Sequence, residues 1–200
     1  MPLNEDQLTQ IRDERKEQIM AAGLRVFAKR GLAHTKMSMI AAEAGISHGL
    51  LYHYFKSKDE LFLQLLQSAM EESIAGVQEL YRLPGSPLDK LRSLTELILL
   101  PENAAHFMLI HHARTAEDMP DKARQILQDY SMKTYIDQLL PLFEEGQKMG
   151  ELVEDEPRRL ITTYLTVLTA LMVLNTHEHE DFRQMEPAVL LRMIAKPGAL

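Results

Sequence analysis

Cysteine is absent from the chain, which excludes a disulfide framework and any thiolate metal site and fits a reducing compartment. A membrane span needs ~20 consecutive apolar residues. The longest such stretch, LITTYLTVLTALMVL at 160–174, is shorter and carries four threonines. The N-terminal segment MPLNEDQLTQIRDERKEQ is polar and mixed in charge, without the apolar centre of a secretory signal. Strand-like alternation, internal repeats and low-complexity tracts are missing too. So are the spacings that serve catalysis: no nucleophile stands with a base, no carboxylates are paired, and no glycine-rich phosphate loop occurs. These absences point to a soluble, cytoplasmic, non-enzymatic protein that uses no cofactor and enters no membrane.

Histidine occurs eight times, but its spacings do not suit a metal. His48 and His53 are five apart, whereas side chains that meet on a helix face sit three or four apart. His106, His111 and His112 do not stack. In NTHEHED at 175–181, His177 and His179 are two apart and fall on different faces, so the segment reads as a solvated helix end.

What is present is ordinary in bulk and uneven in distribution. The 200 residues are 46% hydrophobic and 26% charged, as in a folded globular protein. The net charge of −7 argues against nucleic acid until its placement is considered. Residues 7–58 hold nine Lys and Arg against four acids, a surplus of five cations, so the rest of the chain sums to −12. A basic N-terminal module on an acidic body steers anions to one end; solvated faces clustered by chance account for the charge alone equally well.

The apolar pattern is helical throughout. Ile19, Ala22, Val26 and Phe27 form the stripe of a helix over 11–30 that Gly31 ends. A short helix is expected from Ser38 to Ala44. Gly45 supplies a left-handed turn, and Ser47 caps a third helix over 48–55. Ser57 with Glu60 reads as a capping box opening a long helix to Tyr81. RLPGSP at 82–87 breaks it. Further helices are expected at 87–100, 103–116 and 121–149, the last kinked at Pro141, and then at 157–178 and 187–195. The fold class is all-α, with about nine helices.

Two short helices around a glycine turn make a helix-turn-helix. Ile40, Ala44, Ile46, Leu51 and Phe55 can share a small core, which leaves His48, Gly49, Tyr52 and His53 outside. Gly49 costs about 1 kcal/mol of helix propensity relative to alanine, a cost easier to understand if another backbone approaches there. The run GLAHTKMSMIAAEAGISHGLLYHYFKSKDELF resembles the N-terminal DNA-binding domain of the TetR family of transcriptional regulators. The resemblance rests on Gly31, Thr35, Ile40–Ala41, Ala44–Gly45–Ile46–Ser47, Gly49, Leu51–Tyr52, Tyr54–Phe55, Ser57–Lys58 and Leu61, and covers residues 11–61.

The resemblance implies a flexible terminus at 1–8, a DNA-binding head at 9–56, and a ligand-binding and dimerisation body at 57–200. The third helix would enter the major groove, with Ser47, His48, Gly49, Leu50 and His53 toward bases or groove wall. Thr35, Lys36, Tyr52 and Lys58 would meet the phosphates. Two departures stand out. Lys36 occupies a position where the family usually has a capping hydroxyl, so Ser38 is the expected substitute cap. No arginine lies on the third helix to make a bidentate contact with guanine.

The helix at 157–178 is apolar nearly all round and needs cover on two sides. The resemblance implies a homodimer, with Leu165, Leu168, Met172, Leu190 and Met193 in its interface. It also implies a double-stranded pseudo-palindromic operator and release by a small-molecule effector, here an apolar organic compound near Phe107, His111, Tyr135, Leu139 and Tyr164. A repressor is the commonest outcome in the family; the residues leave activator open. The alternative is a module of the same fold that binds an apolar ligand or lipid and no DNA. The basic 7–58 segment argues for the regulator.

Overall fold

The computed structural model describes residues 5–175 and 186–199. His177 and His179 of the histidine-rich segment lie outside them. Ten α-helices are described: α1 (Glu5–Arg30), α2 (Met37–Glu43), α3 (His48–Tyr54), α4 (Lys58–Leu80), α5 (Pro87–Leu99), α6 (Ala104–Thr115), α7 (Asp121–Asp129), α8 (Met132–Lys148), α9 (Pro157–Asn175) and α10 (Pro187–Leu191). One 3-10 turn, Pro101–Asn103, precedes α6. No strand occurs among the described residues; a single antiparallel bridge joins Leu152 to Ala195. The fold is all-α.

Two differences from the sequence reading have local causes. Helix α1 begins at Glu5, six residues earlier than the helix expected over 11–30, so residues 5–8 belong to it. The stretch expected as one helix over 121–149 is two. Tyr130 leaves helical geometry at φ −106°, ψ 51°, and Ser131 starts α8 in extended geometry. No glycine or proline marks this break. It is held instead from outside, by the Arg114 guanidinium donating to the Tyr130 carbonyl at 2.9 Å. Helix α8 runs on through Pro141, and the Tyr81 hydroxyl donates to the nearby Gln138 carbonyl.

Capping sets several helix starts. Ser57 accepts from the Glu60 amide at 3.1 Å, but the Glu60 carboxylate takes the Lys56 amide, at 2.8 Å, instead of closing the box on Ser57. The complete capping box is at Ser86 and Asp89, inside the segment read only as a break, with Pro87 in the first turn. Asp89 sits below the usual carboxylate range because it accepts the Ser86 amide.

Two apolar cores stack along α4. The first joins Ile19, Phe27, Ile40, Leu51, Phe55, Leu61, Phe62 and Leu66 to Leu109 and Ala113 of α6 and to Ala123 and Ile126 of α7. It therefore crosses the boundary expected at residue 57. The second joins Leu80, Leu91, Leu142, Phe143, Leu152, Ile161, Tyr164, Leu168 and Leu191. Within it the Thr95 hydroxyl donates to the Leu91 carbonyl at 2.7 Å, so the Tyr164 hydroxyl donates to Thr95 across 2.8 Å. Burial pushes the Tyr164 phenol up to about 12.

Gly146 on α8 is a close-approach position. A β-carbon there would lie 2.7 Å from Leu152 Cγ and 3.2 Å from Pro87 Cβ, and Leu152 is fully buried. Overpacking of this kind costs about 1–3 kcal/mol, more than the ~1 kcal/mol alanine gains in helix propensity. Gly146→Ala should lower the urea midpoint; an unchanged or raised midpoint contradicts the packing. Thr95→Val strands the Tyr164 hydroxyl and should cost about 1–3 kcal/mol. Adding Tyr164→Phe removes the stranded donor, so the double variant should be more stable than Thr95→Val alone. Additive losses in that cycle would contradict the hydrogen bond.

Candidate nucleic-acid interface and internal cavity

Helix α3 has seven residues, too few to hold together alone. Its inner side fixes it: Leu51 and Phe55 are fully buried against Ile40 and Ala41 of α2 and Phe27 of α1. Gly45 takes φ +63°, the left-handed turn that favours glycine, and brings α3 across α2. The Ser47 hydroxyl accepts from the Leu50 amide at 3.2 Å and caps the helix as expected. From α1, Gln18 donates to the Ala44 carbonyl at 2.7 Å and satisfies the end of α2.

The opposite side of α3 is open. Ser47, His48, Gly49, Leu50, Tyr52 and His53 are all exposed. His48 and Tyr52 meet edge to face, with ring centres 4.8 Å apart, so the Tyr52 ring is steadied while its surface stays in solvent. Nothing lies within 4 Å of a β-carbon built on Gly49. Its smallness therefore meets no need inside this chain. Tyr54 turns inward and packs against the first core.

The cations divide. Lys36 is exposed and stands just before α2 in extended geometry with no side-chain cap. Helix α2 starts at Met37, so Ser38 does not serve as the cap. Lys56 is exposed in the α3–α4 turn; the sequence reading counted it but did not single it out. Two expected outward contacts point elsewhere. Thr35 is buried and its hydroxyl donates to the Gly31 carbonyl at 2.7 Å. Lys58 is half-buried, with its ammonium donating to the Leu32 carbonyl at 2.9 Å and the Thr35 carbonyl at 3.4 Å. The Thr35 hydroxyl closes the α1–α2 connection on itself, and Lys58 ties that connection to α4.

The same connection is gripped from α6. The His112 ring lies against Gly31, and its Nε2–H donates to the Ala28 carbonyl at 3.0 Å. His111, next to it, lines a half-open cavity of about 170 Å³ together with Phe107 and Tyr135. A second cavity of about 180 Å³ shares Phe107 and Tyr135 as walls. The Tyr135 hydroxyl donates to Ser73 at 3.1 Å, and burial raises its pKa. Leu139 and Tyr164, expected in a pocket, line neither cavity; both are core residues. Ser73, Ile98, Ile110 and Arg114 line the space and were missed. His111 and Arg114, three apart on one helix, carried a usable signal.

Three of the expected interface residues are spent inside the chain. Leu168, Met172 and Leu190 are buried, Leu165 is half-buried and Met193 is exposed. The outward arc of α9 is instead Thr162, Thr163, Thr166, Thr169 and Ala170.

Residues 19–65 match the family model for bacterial regulatory proteins of the tetR family. Over 85 residues the chain is 38% identical to the HTH-type transcriptional activator FasR of Mycolicibacterium smegmatis, a match covering 42% of this chain and 39% of that protein. Over 161 residues it is 27% identical to the HTH-type transcriptional repressor KstR2 of Mycobacterium tuberculosis, covering 78% of this chain and 80% of the relative. A crystal structure of a TetR-family transcriptional regulator from Agrobacterium tumefaciens shares the fold, with a TM-score of 0.75 at 18% identity over 92% of this chain and 99% of that one. With a buried-inside, open-outside third helix set on a left-handed glycine turn, and with that family match, residues 19–65 are similar to the N-terminal domain of the tetR family of bacterial regulatory proteins, and the whole chain shares the fold of its solved members.

Proposed function

We propose that the chain is a cytoplasmic, non-enzymatic transcriptional regulator that binds a pseudo-palindromic DNA operator as a homodimer and is released by a small molecule. The observation that carries the reading is the outer face of α3: six consecutive or near-consecutive exposed residues on a helix anchored from behind. Gly49, with open space around it, lets a sugar–phosphate backbone or groove wall come close. Tyr52, Lys36 and Lys56 are placed to hold phosphates and set register, while His48, Leu50 and His53 supply base-edge and apolar contacts. A ligand module that binds no DNA would have no use for this face.

The dimer reading shifts from leucines to threonines. Thr162, Thr163, Thr166 and Thr169 each donate their hydroxyl to the carbonyl four residues earlier, at 2.7 to 2.9 Å. With the hydroxyls satisfied within the helix, the arc presents methyl groups and small side chains that let a second copy's helix pack close. Two-fold pairing would give two α3 helices a palindromic target. Effector release would run through α6, because adjacent residues face the cavity (His111) and grip α1 (His112). A ligand that favours one placement of α6 would shift the heads only by its difference in affinity for the two placements.

Selection of duplexes from a random pool at fixed salt should enrich an inverted repeat; enrichment of none would favour the DNA-free alternative. Tyr52→Phe and Lys36→Ala should each weaken binding to all sequences, and Lys36→Ala should lower the salt slope by about 1 per subunit, or about 2 for the dimer. An unchanged slope would remove Lys36 from the phosphate contacts. Thr166→Glu should give monomers by sedimentation at micromolar concentration, with helical circular dichroism kept. A dimer of unchanged mass would move the interface off α9. Leu168→Glu does not serve this purpose, since Leu168 is 1% exposed and its loss disrupts the chain's own core.

A further inference from the structure

The two cavities share Ser73, Ile98, Phe107, Ile110 and Tyr135 as walls, and Ile98 and Phe107 also line an adjoining groove beside Pro101. The lining is mostly aliphatic, aromatic and methionine. Its polar groups are not scattered evenly. At the α6–α8 end, Arg114 and His111 converge with the hydroxyls of Ser73 and Tyr135. The Arg114 charge reaches Tyr135, where it offsets part of the rise caused by burial.

Arg114 is exposed at the mouth of the cavity and has no acidic partner among the described residues. Its guanidinium carries five N–H donors, and the bond it makes goes to a backbone carbonyl, that of Tyr130. No acid lies within ion-pair distance of it among the described residues. Arg158 and Arg159, on α9, are by contrast paired, with Asp137 and Asp155. The Tyr130 carbonyl fixes one edge of Arg114 and leaves the other donors for a planar or tetrahedral oxyanion, which guanidinium matches by paired hydrogen bonds. Glu72 lines the cavity at the opposite, α4–α5 end, so an anionic head is favoured at one end and disfavoured at the other.

We infer that this cavity takes an amphiphilic anion: an apolar tail lying among Ile98, Phe107, Ile110 and Met172, with an oxyanion head on Arg114 and His111. The inference rests on the reading of the cavity as the effector site and narrows that effector from apolar to anionic and apolar-tailed. Ser73 and Tyr135 give the head hydroxyl contacts, and Arg114 gives it charge. An uncharged molecule of the same length would fill the tail space but leave the guanidinium to water, without a charge-assisted contact.

Four probes with the same ten-carbon tail test this on the full chain: decanoate, decyl phosphate, decanol and decyltrimethylammonium. Affinity is read by calorimetry, and release of the selected duplex is read separately by fluorescence anisotropy. One or both anions should bind at least roughly tenfold more tightly than decanol, the scale of one charge-assisted contact. Arg114→Gln should shrink that anion-to-alcohol ratio toward unity, and Arg114→Lys should keep part of it. The ratio compares two ligands on one protein, so a general loss of folded protein does not mimic it. Equal affinity for anion and alcohol overturns the inference even if both release DNA, and leaves the effector reading in place. Anion-selective binding without release supports the inference and removes the effector role. Preference for the ammonium probe, or no binding by any probe, overturns it.

Discussion

The anchoring of Leu51 and Phe55 is the constraint on which the rest of the molecule depends. A seven-residue helix with an exposed glycine in its first turn has no stability of its own. Each large apolar side chain buried contributes about 1.5–3 kcal/mol, and α3 has Leu51 with Phe55 as its C-cap, both buried. They set the rotation of the helix. Once Leu51 and Phe55 face inward, His48, Gly49, Tyr52 and His53 can only face outward. The interface is thus a consequence of core packing, with Gly45 and Ser47 fixing where the helix begins.

That small core is not a free-standing head. It continues into α4, α6 and α7 through Phe62, Leu66, Leu109 and Ala123. Backbone carbonyls at the end of α1 and in the following turn are held by Lys58 from α4 and His112 from α6. Polar bonds to carbonyls are directional where apolar contacts are not, so these two side chains fix an angle that the shared core alone would leave loose. The helix that supplies His112 also supplies Phe107, Ile110 and His111 to the cavity wall. One helix, α6, therefore joins the cavity wall to the end of α1 and the turn that follows it.

Much of this was legible in the sequence because it follows from local chemistry. Gly31 and Gly45 take positive φ where a helix stop and a turn were read. Ser47 caps, and the alternation of Ile40, Leu51 and Phe55 with His48, Tyr52 and His53 gives the inner and outer sides of α3. What was not legible depended on distant partners. Lysine and threonine read as phosphate-binding types, but Lys58 and Thr35 spend their donors on carbonyls of the α1–α2 connection. The break at Tyr130 has no local signal and is tied by Arg114. Leucines on α9 looked like spare apolar surface, yet the second core absorbs them. Threonines read as polar present the outward arc, because their hydroxyls turn back onto the helix.

The central claim is that DNA meets the outward side of α3. It is tested most directly by mapping amide and histidine side-chain NMR shifts of the full chain on titration with its selected duplex. The account requires the largest changes at residues 47–53, with the His48 and His53 rings moving and the Leu51 and Phe55 methyl and ring signals nearly still. Largest changes in the groove lined by Arg25, Lys29 and Arg30 between α1 and α2, with α3 unmoved, would contradict it.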